Sequence, residues 1–385
     1  MSMLSRGLAI VSWLVVVAAC HQAPTSVNDA NASPNAPAKA PAPAPTMPSD
    51  TKLVPADWSA FQRDQRPLSG LVPWRGGAAT RSLPFMSVDV ARGAAFPLTL
   101  PGCAEIFDIG SDGKRDLAVC ADEHGGVLVF DRDAQGTRTH VIDGVSAAAA
   151  KKTPFRAAAD GATLVVWEPT RLHVKIGAEP FRTVALKTLP DAPRGFPVHV
   201  RAASGRLYLG SSAGEWGGAL VSIDLASGAS RIEPADTMTT QPVMGLTTDR
   251  DGKLWVARGL SHLGANQGSL HALESGAWRL VAGSPGGWGG PKLPRAEWNL
   301  PETAFAGVGF DSRGGLYVAT ENLGLVRREP RGGFTRLMAD WPKTSLYVCG
   351  LVIHDDVALV GTYDAGVIAF DLARGTVTRI ALGAR

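Results

Sequence analysis

Between Gly245 and Ala257 the chain reads GLTTDRDGKLWVA: apolar and β-branched residues, a polar Asp-Arg-Asp-Gly step, then an apolar run again. Such short extended runs on either side of an Asp-Gly pair predict two antiparallel strands joined by a tight turn, with Gly252 supplying the positive φ that the turn needs. The shape returns at Gly307 to Thr320 (GVGFDSRGGLYVAT), and more loosely at Ile106 to Val119, Phe155 to Trp167, Val198 to Gly210 and Val348 to Thr362. In the central copy two further runs follow, and four strands are expected at Val243 to Thr248, Lys253 to Ala257, Ser269 to Leu273 and Trp278 to Ala282. Outside the N-terminal apolar run no segment sustains a helical period, and the alanines of Val145 to Lys152 mark the one candidate short helix.

Taking the second strand of each copy as a marker, the repeats fall at Leu117, Leu164, Leu207, Leu254, Leu316 and Ala358. A four-stranded unit returning roughly every 45 residues is the signature of a β-propeller blade, whose sheet packs face to face on the next until the ring closes. The expected fold class is therefore all-β, a β-propeller of seven four-stranded blades over residues 58–385, with a six-bladed ring as the alternative. Six blades are directly visible; Trp58 to Leu100 would supply the seventh, with Met86 to Val90 and Ala95 to Leu100 as its outer strands.

Loop lengths divide the two rims. Turns between first and second and between third and fourth strands are uniformly tight, as at Asp251-Gly252, Gly314-Gly315, Ser204-Gly205, Ser227-Gly228, Ser275-Gly276 and Arg374-Gly375. The opposite rim carries the insertions: Ser211 to Gly217, Arg258 to Gly268 and Gly283 to Thr303, the last of which stretches the step from Leu254 to Leu316. Long Gly- and Trp-bearing loops on one rim predict a recognition surface. There Trp216, Trp288 and Trp298 are candidate stacking platforms, with Glu215, His262, Asn266, Gln267, Lys292, Arg295, Glu297 and Asn299 as polar partners; the plainer reading is that the rings anchor their loops by packing.

The run Asp311 to Arg328 (DSRGGLYVATENLGLVRR) resembles the repeat of two-component-regulator-type propellers, a loose D-x-x-G-x-L-W/Y-V-x-T-x-x-x-G-L-x-R pattern, with streptogramin-lyase-like and gluconolactonase-like propellers as broader relatives. The resemblance covers residues from about 97 onward and speaks to architecture, since such repeats serve sensors, scaffolds and enzymes alike. It implies, as an alternative function, a divalent-metal-dependent lactonase or lyase with its site at the central channel. Glu123, His124, Glu321, Asn322, Tyr363 and Asp364, each just after a second strand, are the candidate channel residues for that chemistry. Asp108 to Asp116 (DIGSDGKRD) resembles the calcium loop of integrin-type propeller repeats, but Gly110 stands where an oxygen ligand is wanted, so a hydrogen-bonded Asp-Gly turn is expected there and no metal or cofactor is assigned. No nucleophile elbow, HExxH helix, Walker loop or dinucleotide fingerprint occurs.

At the N-terminus, Arg6 precedes an apolar run from Gly7 to Ala19 that ends in small residues before Cys20, the layout of a secretory signal. Leu14 to Cys20 (LVVVAAC) resembles a bacterial lipobox, which implies cleavage after residue 19, lipidation of Cys20 (thioether-linked lipid and an N-terminal acyl chain such as palmitate) and a membrane anchor; His21 in place of aspartate implies sorting to the outer membrane, facing the periplasm or the cell surface. Residues 20–57 turn to Ala, Pro, Ser and Asn and read as a disordered tether. Export to an oxidising space makes Cys103 and Cys120, on neighbouring strands flanking one turn, candidates for a disulfide if their register brings the sulfurs together, and leaves Cys349 as a small buried hydrophobe.

Composition narrows the partners. The chain is 45% hydrophobic with a net charge of only +3, and its basic residues are scattered, so nothing marks a nucleic-acid partner. The leading expectation is a non-catalytic, envelope-anchored propeller lipoprotein that binds a protein, peptide or glycan through its long-loop face.

Overall fold

The computed structural model describes residues 70–385 apart from residues 76, 82–83, 153, 188–196, 214–216, 234–240, 263–264, 285–296, 339–340, 342–346, 364, 381 and 383–385. All of these described residues belong to one compact unit, Thr46–Arg385. Seven four-stranded antiparallel sheets follow one another along the chain: blade 1 from Leu71 to Pro97, blade 2 from Glu105 to Ser146, blade 3 from Arg156 to Ala185, blade 4 from Pro197 to Glu233, blade 5 from Val243 to Gly283, blade 6 from Phe305 to Arg336 and blade 7 from Val348 to Ile380. Every blade is made of consecutive strands in sequence order, and the first strand of each lies innermost. The fold is a seven-bladed β-propeller, and the first blade contains the two strands expected near Met86 and Ala95.

Each middle strand is buried on both faces because a blade lies on either side of it. In blade 5, Leu254 and Val256 point to blade 4 and cluster with Tyr208, Leu220 and Val243, while Trp255 and Ala257 point to blade 6 and cluster with Phe305, Val318 and Phe334. A period of two thus serves two cores at once, which is why these strands read as continuous apolar runs.

The repeated Asp-x-x-Gly-x-x-aromatic signature has a mechanical cause. Asp249 Oδ1 accepts the backbone N–H groups of Asp251 and Lys253, while its Oδ2 accepts Trp255 Nε1 at 3.0 Å. Asp311 does the same with Arg313, Gly315 and the Tyr317 hydroxyl, at 3.1 Å, and burial beside that carboxylate pushes the Tyr317 pKa up to about 12. One carboxylate fixes the turn and seats the ring that fills the blade interface.

Among the described residues the ring closes without a shared strand. Blade 7 simply packs on blade 1, where Ala78 and Val88 meet Val352, Leu359 and Val367, and Leu71 lies against Gly350 and Gly361. Cys103 and Cys120 form a disulfide that ties the lead-in of blade 2 to its second strand. The short helix is one turn, Ala147–Ala150, capped by Ser146.

One expected loop is instead sheet. Arg258 to Gly268 continues the second and third strands of blade 5, Leu254–His262 and Ala265–Glu274, paired as far as Ser261 with Asn266 and His262 with Ala265. The residues taken for an insertion are a hairpin that lengthens the blade.

Candidate functional site

Five of the seven inner strands carry a register shift near their start: between Ile106 and Asp108, Pro197 and His199, Val243 and Gly245, Phe305 and Gly307, and Val348 and Gly350. A bulge bends its strand and re-aims the residue that follows. In blades 5, 6 and 7 that residue is glycine, because a Cβ would press on the next inner strand, 3.1 Å from Gly307 for Gly245 and 2.8 Å from Leu351 for Gly307. In blades 2 and 4 the same place holds Asp108 and His199, so ionisable side chains replace bare backbone beside the channel.

Arg81, just past the second strand of blade 1, reaches these groups from across the channel. Its guanidinium grips both carboxylate oxygens of Asp108 at 3.0 and 3.1 Å and donates to the carbonyls of Ile109, Ala157 and Val198, joining blade 1 to blades 2, 3 and 4. Arg156 of blade 3 approaches the same carboxylate at 3.4 Å, and the Ala157 amide donates to it at 2.8 Å. Asp108 is therefore held by two guanidinium groups with 1% of its surface exposed. Burial, with the like charge of Arg81 adding to it and Asp108 opposing it, lowers the Arg156 pKa to about 10. Burial first, then Arg81 and Arg156, takes His199 down to about 3, so its ring is neutral at pH 7.

A cavity of about 720 Å³ occupies the channel, bordered at one end by Arg81 and His199 and reaching the surface at the turns of blades 1 and 2, where Arg75, Lys114 and Gln135 are exposed. Its two sides differ in chemistry. Toward blade 2 stand Asp112, Asp116, Arg132 and Asp133; toward blades 5, 6 and 7 the wall is Leu246, Thr247, Val308, Phe310, Leu351 and Ile353. Most charges on the first side are matched: Arg132 pairs with Asp116 at 2.6 Å and lies over the Trp74 ring, and Arg115 pairs with Asp133 at 2.6 Å. Contact with Arg138, then Arg115, holds the Asp133 carboxyl well below the usual carboxylate range.

Arg201 differs from these. It leaves the inner strand of blade 4, 8% exposed, and bonds to the carbonyls of Ser111 at 2.8 Å and Asp112 at 3.1 Å and to the Thr248 hydroxyl at 2.6 Å, while its Nε has no hydrogen-bond partner. Its contacts are neutral oxygens, so blades 2, 4 and 5 are tied together around a cation with no carboxylate in contact.

Of the residues expected to form a site, only some are among those described, and these serve several separate roles. Glu215, Trp216, Trp288, Lys292, Arg295, Asp364 and Cys20, the expected lipidation site, lie outside the described residues, as does the His262 side chain. Trp298 is packed rather than presented: 7% exposed, its ring lies tilted against Phe305 and Phe334, with centroids 4.6 Å and 5.0 Å apart, and donates from Nε1 to the Pro301 carbonyl. Asn266 accepts the Ala304 amide at 2.7 Å and Asn299 the Phe334 amide at 2.6 Å, so both pin backbone. Gln267 is half-buried beside Leu260 on the blade 5 hairpin. None of Glu123, His124, Glu321, Asn322 or Tyr363 lines the channel cavity. They sit on turns between second and third strands, one strand out from the axis; Glu123 and His124 are exposed, and Tyr363 packs edge-on against Tyr347. The carboxylates of the expected Asp108 to Asp116 turn also diverge: Asp108 faces Arg81, Asp112 caps Lys114 and Arg115, and Asp116 faces Arg132. Among the described residues no three His, Cys, Asp or Glu side chains stand close enough to share an ion.

If Trp298 anchors the core, Trp298→Ala should cost about 3 kcal/mol of unfolding free energy in urea. A loss below about 1 kcal/mol would return the ring to the solvent-facing role.

The structure thus defines a seven-bladed propeller with a polar, cation-bearing cavity on its axis. The chain matches no family model and no curated protein. Among solved structures it is similar to YCF48 bound to D1 peptide (14% identity over 74% of this chain and 83% of that one, TM-score 0.44). It is similar too to the extracellular domain of a hybrid two component system from B. thetaiotaomicron (14% identity, 80% of this chain and 39% of that one, TM-score 0.47) and to apo AztD from Citrobacter koseri (14% identity, 84% and 95%, TM-score 0.44).

Proposed function

We propose that this chain is a non-catalytic binding propeller of the bacterial cell envelope. Lipid on Cys20 holds it to the outer membrane, and the mouth of its central channel takes a protein or peptide ligand, or a glycan. The observation that carries the reading is the 720 Å³ cavity, open at the turns of blades 1 and 2 and built from residues of six blades. That moves the expected site from the long-loop rim to the opposite one, since the described long-loop residues Trp298, Asn266 and Asn299 are spent on packing and backbone bonds. The lactonase or lyase alternative has no observation in its favour, because it needs acidic, amide or imidazole groups converging on the channel and its described candidates do not line the channel cavity.

Photo-crosslinking in intact envelopes tests this. A photoreactive residue at Lys114, on the mouth, should form adducts, whereas one at the exposed Ile176 at the outer part of blade 3 should not, and Cys20→Ala should release the protein into the soluble fraction. Absence of adducts at Lys114, equal adducts at both positions, or unchanged membrane retention of the Cys20 variant would overturn the proposal.

A further inference from the structure

We infer that the channel ligand is the C-terminal end of a peptide, its carboxylate held at Arg201 and its last apolar side chains lying against the wall from blades 5, 6 and 7; this rests on the channel reading above. The first argument is electrostatic. A guanidinium carries five N–H donors, and the three bonds made by Arg201 leave two of them, Nε–H among these, without an acceptor. A buried cation with an unmet donor favours an anion that supplies both an oxygen and charge, as a carboxylate does at the remaining Nη1–H. Among the described residues that line the cavity, Arg75, Arg81, Lys114, Arg132 and Arg201 outnumber Asp112, Asp116 and Asp133, so its wall carries surplus positive charge.

The opposite wall limits the ligand to one charge. Leu246, Val308, Phe310, Leu351 and Ile353 offer a polyanion no partner and would desolvate it at a cost, whereas they suit small apolar side chains. Backbone chemistry then separates a peptide from a simple fatty acid. The inner strand of each blade is an edge strand, so the channel is ringed by strand edges with N–H and C=O groups turned away from their own sheet. A peptide's amides answer such groups; an alkyl chain leaves them unpaired. Nor does the cavity offer a sugar an open tryptophan platform, as Trp74, the tryptophan among its described lining residues, is 5% exposed beneath Arg132, and the half-buried Phe310 is turned edge-to-face against Trp255.

The test is calorimetric titration of the full-length protein in non-ionic detergent with an N-acetylated alanine–leucine–valine tripeptide, its C-terminal amide, and decanoate. The free-acid peptide should bind at least about tenfold more tightly than the amide, the difference a charge-assisted hydrogen bond provides. Arg201→Gln should erase that preference. Because Arg201 also ties three blades, Thr247→Glu gives an independent arm: it places a carboxylate on the cavity wall next to Thr248, a partner of Arg201, and should suppress free-acid binding with the melting temperature unchanged. Equal affinity for acid and amide, decanoate binding as tightly as the peptide, or full binding by Thr247→Glu would each overturn the inference. Should the tripeptide fail to bind while Lys114 still forms adducts in the envelope, the C-terminal assignment falls and the channel reading stands; loss of both removes both.

Discussion

Asp108→Asn should remove about 4 kcal/mol of stability, the cost of stripping one partner from a buried ion pair. The substitution keeps an acceptor for the Ala157 amide but removes the negative charge that both Arg81 and Arg156 approach. The uncompensated charge, more than the lost attraction, sets the size of the effect. A second change that relieves the repulsion, Arg156→Met, should therefore recover part of the loss, so that the double variant is more stable than Asp108→Asn alone. Urea unfolding of the two single variants and the double variant forms a complete cycle with the parent. A loss under about 1 kcal/mol, or strict additivity of the two changes, would show that the triad is not a stabilising unit.

Acidification should unfold the protein through its histidines before its carboxylates. An unfolded histidine takes up a proton near pH 6.5, but in the fold burial and the neighbouring Arg258 keep His271 neutral down to about pH 3. His199 behaves likewise beside Arg81 and Arg156, and burial lowers His173 despite its 2.8 Å contact with Glu168. Between pH 6.5 and 3 the unfolded chain thus holds more protons than the folded one, so stability falls as pH falls through this window and is fully present above 6.5. At pH 5 the loss is about 2 kcal/mol for a histidine that stays neutral, and somewhat less for His199, which borders the cavity. The urea midpoint measured from pH 7.5 to 5 should drop accordingly, and His271→Gln and His199→Gln should each flatten the slope. A flat profile in the parent would refute the assignment.

The blades were legible because their causes are local. Asp249 and Trp255, or Asp311 and Tyr317, meet within six residues, and turn glycines such as Gly252 and Gly314 mark where the chain reverses. The site was not legible, because its bonds join distant segments: Arg81 to Asp108 across 27 residues, Arg201 to Ser111 across 90 and Arg81 to Val198 across 117. One trace of it was present. Aligning the repeats on their bulges puts Asp108 and His199 where Gly245, Gly307 and Gly350 stand, and charged or imidazole groups in a place otherwise reserved for glycine mark an irregular axis. Trp298 misled for the opposite reason, since a Gly- and Pro-rich stretch precedes it and its packing partners Phe305 and Phe334 come from the following blade.

The manner of closure has a further consequence. Because each blade is a complete four-stranded sheet and, among the described residues, blade 7 meets blade 1 by packing without a shared strand, the ring has no privileged first blade. A circularly permuted chain opened at the blade 4 to blade 5 connection, after Glu233, would split no sheet, and Arg81 would still reach Asp108, Ala157 and Val198. Order along the chain and order around the ring are separable here, and the cross-channel arginines depend only on the second.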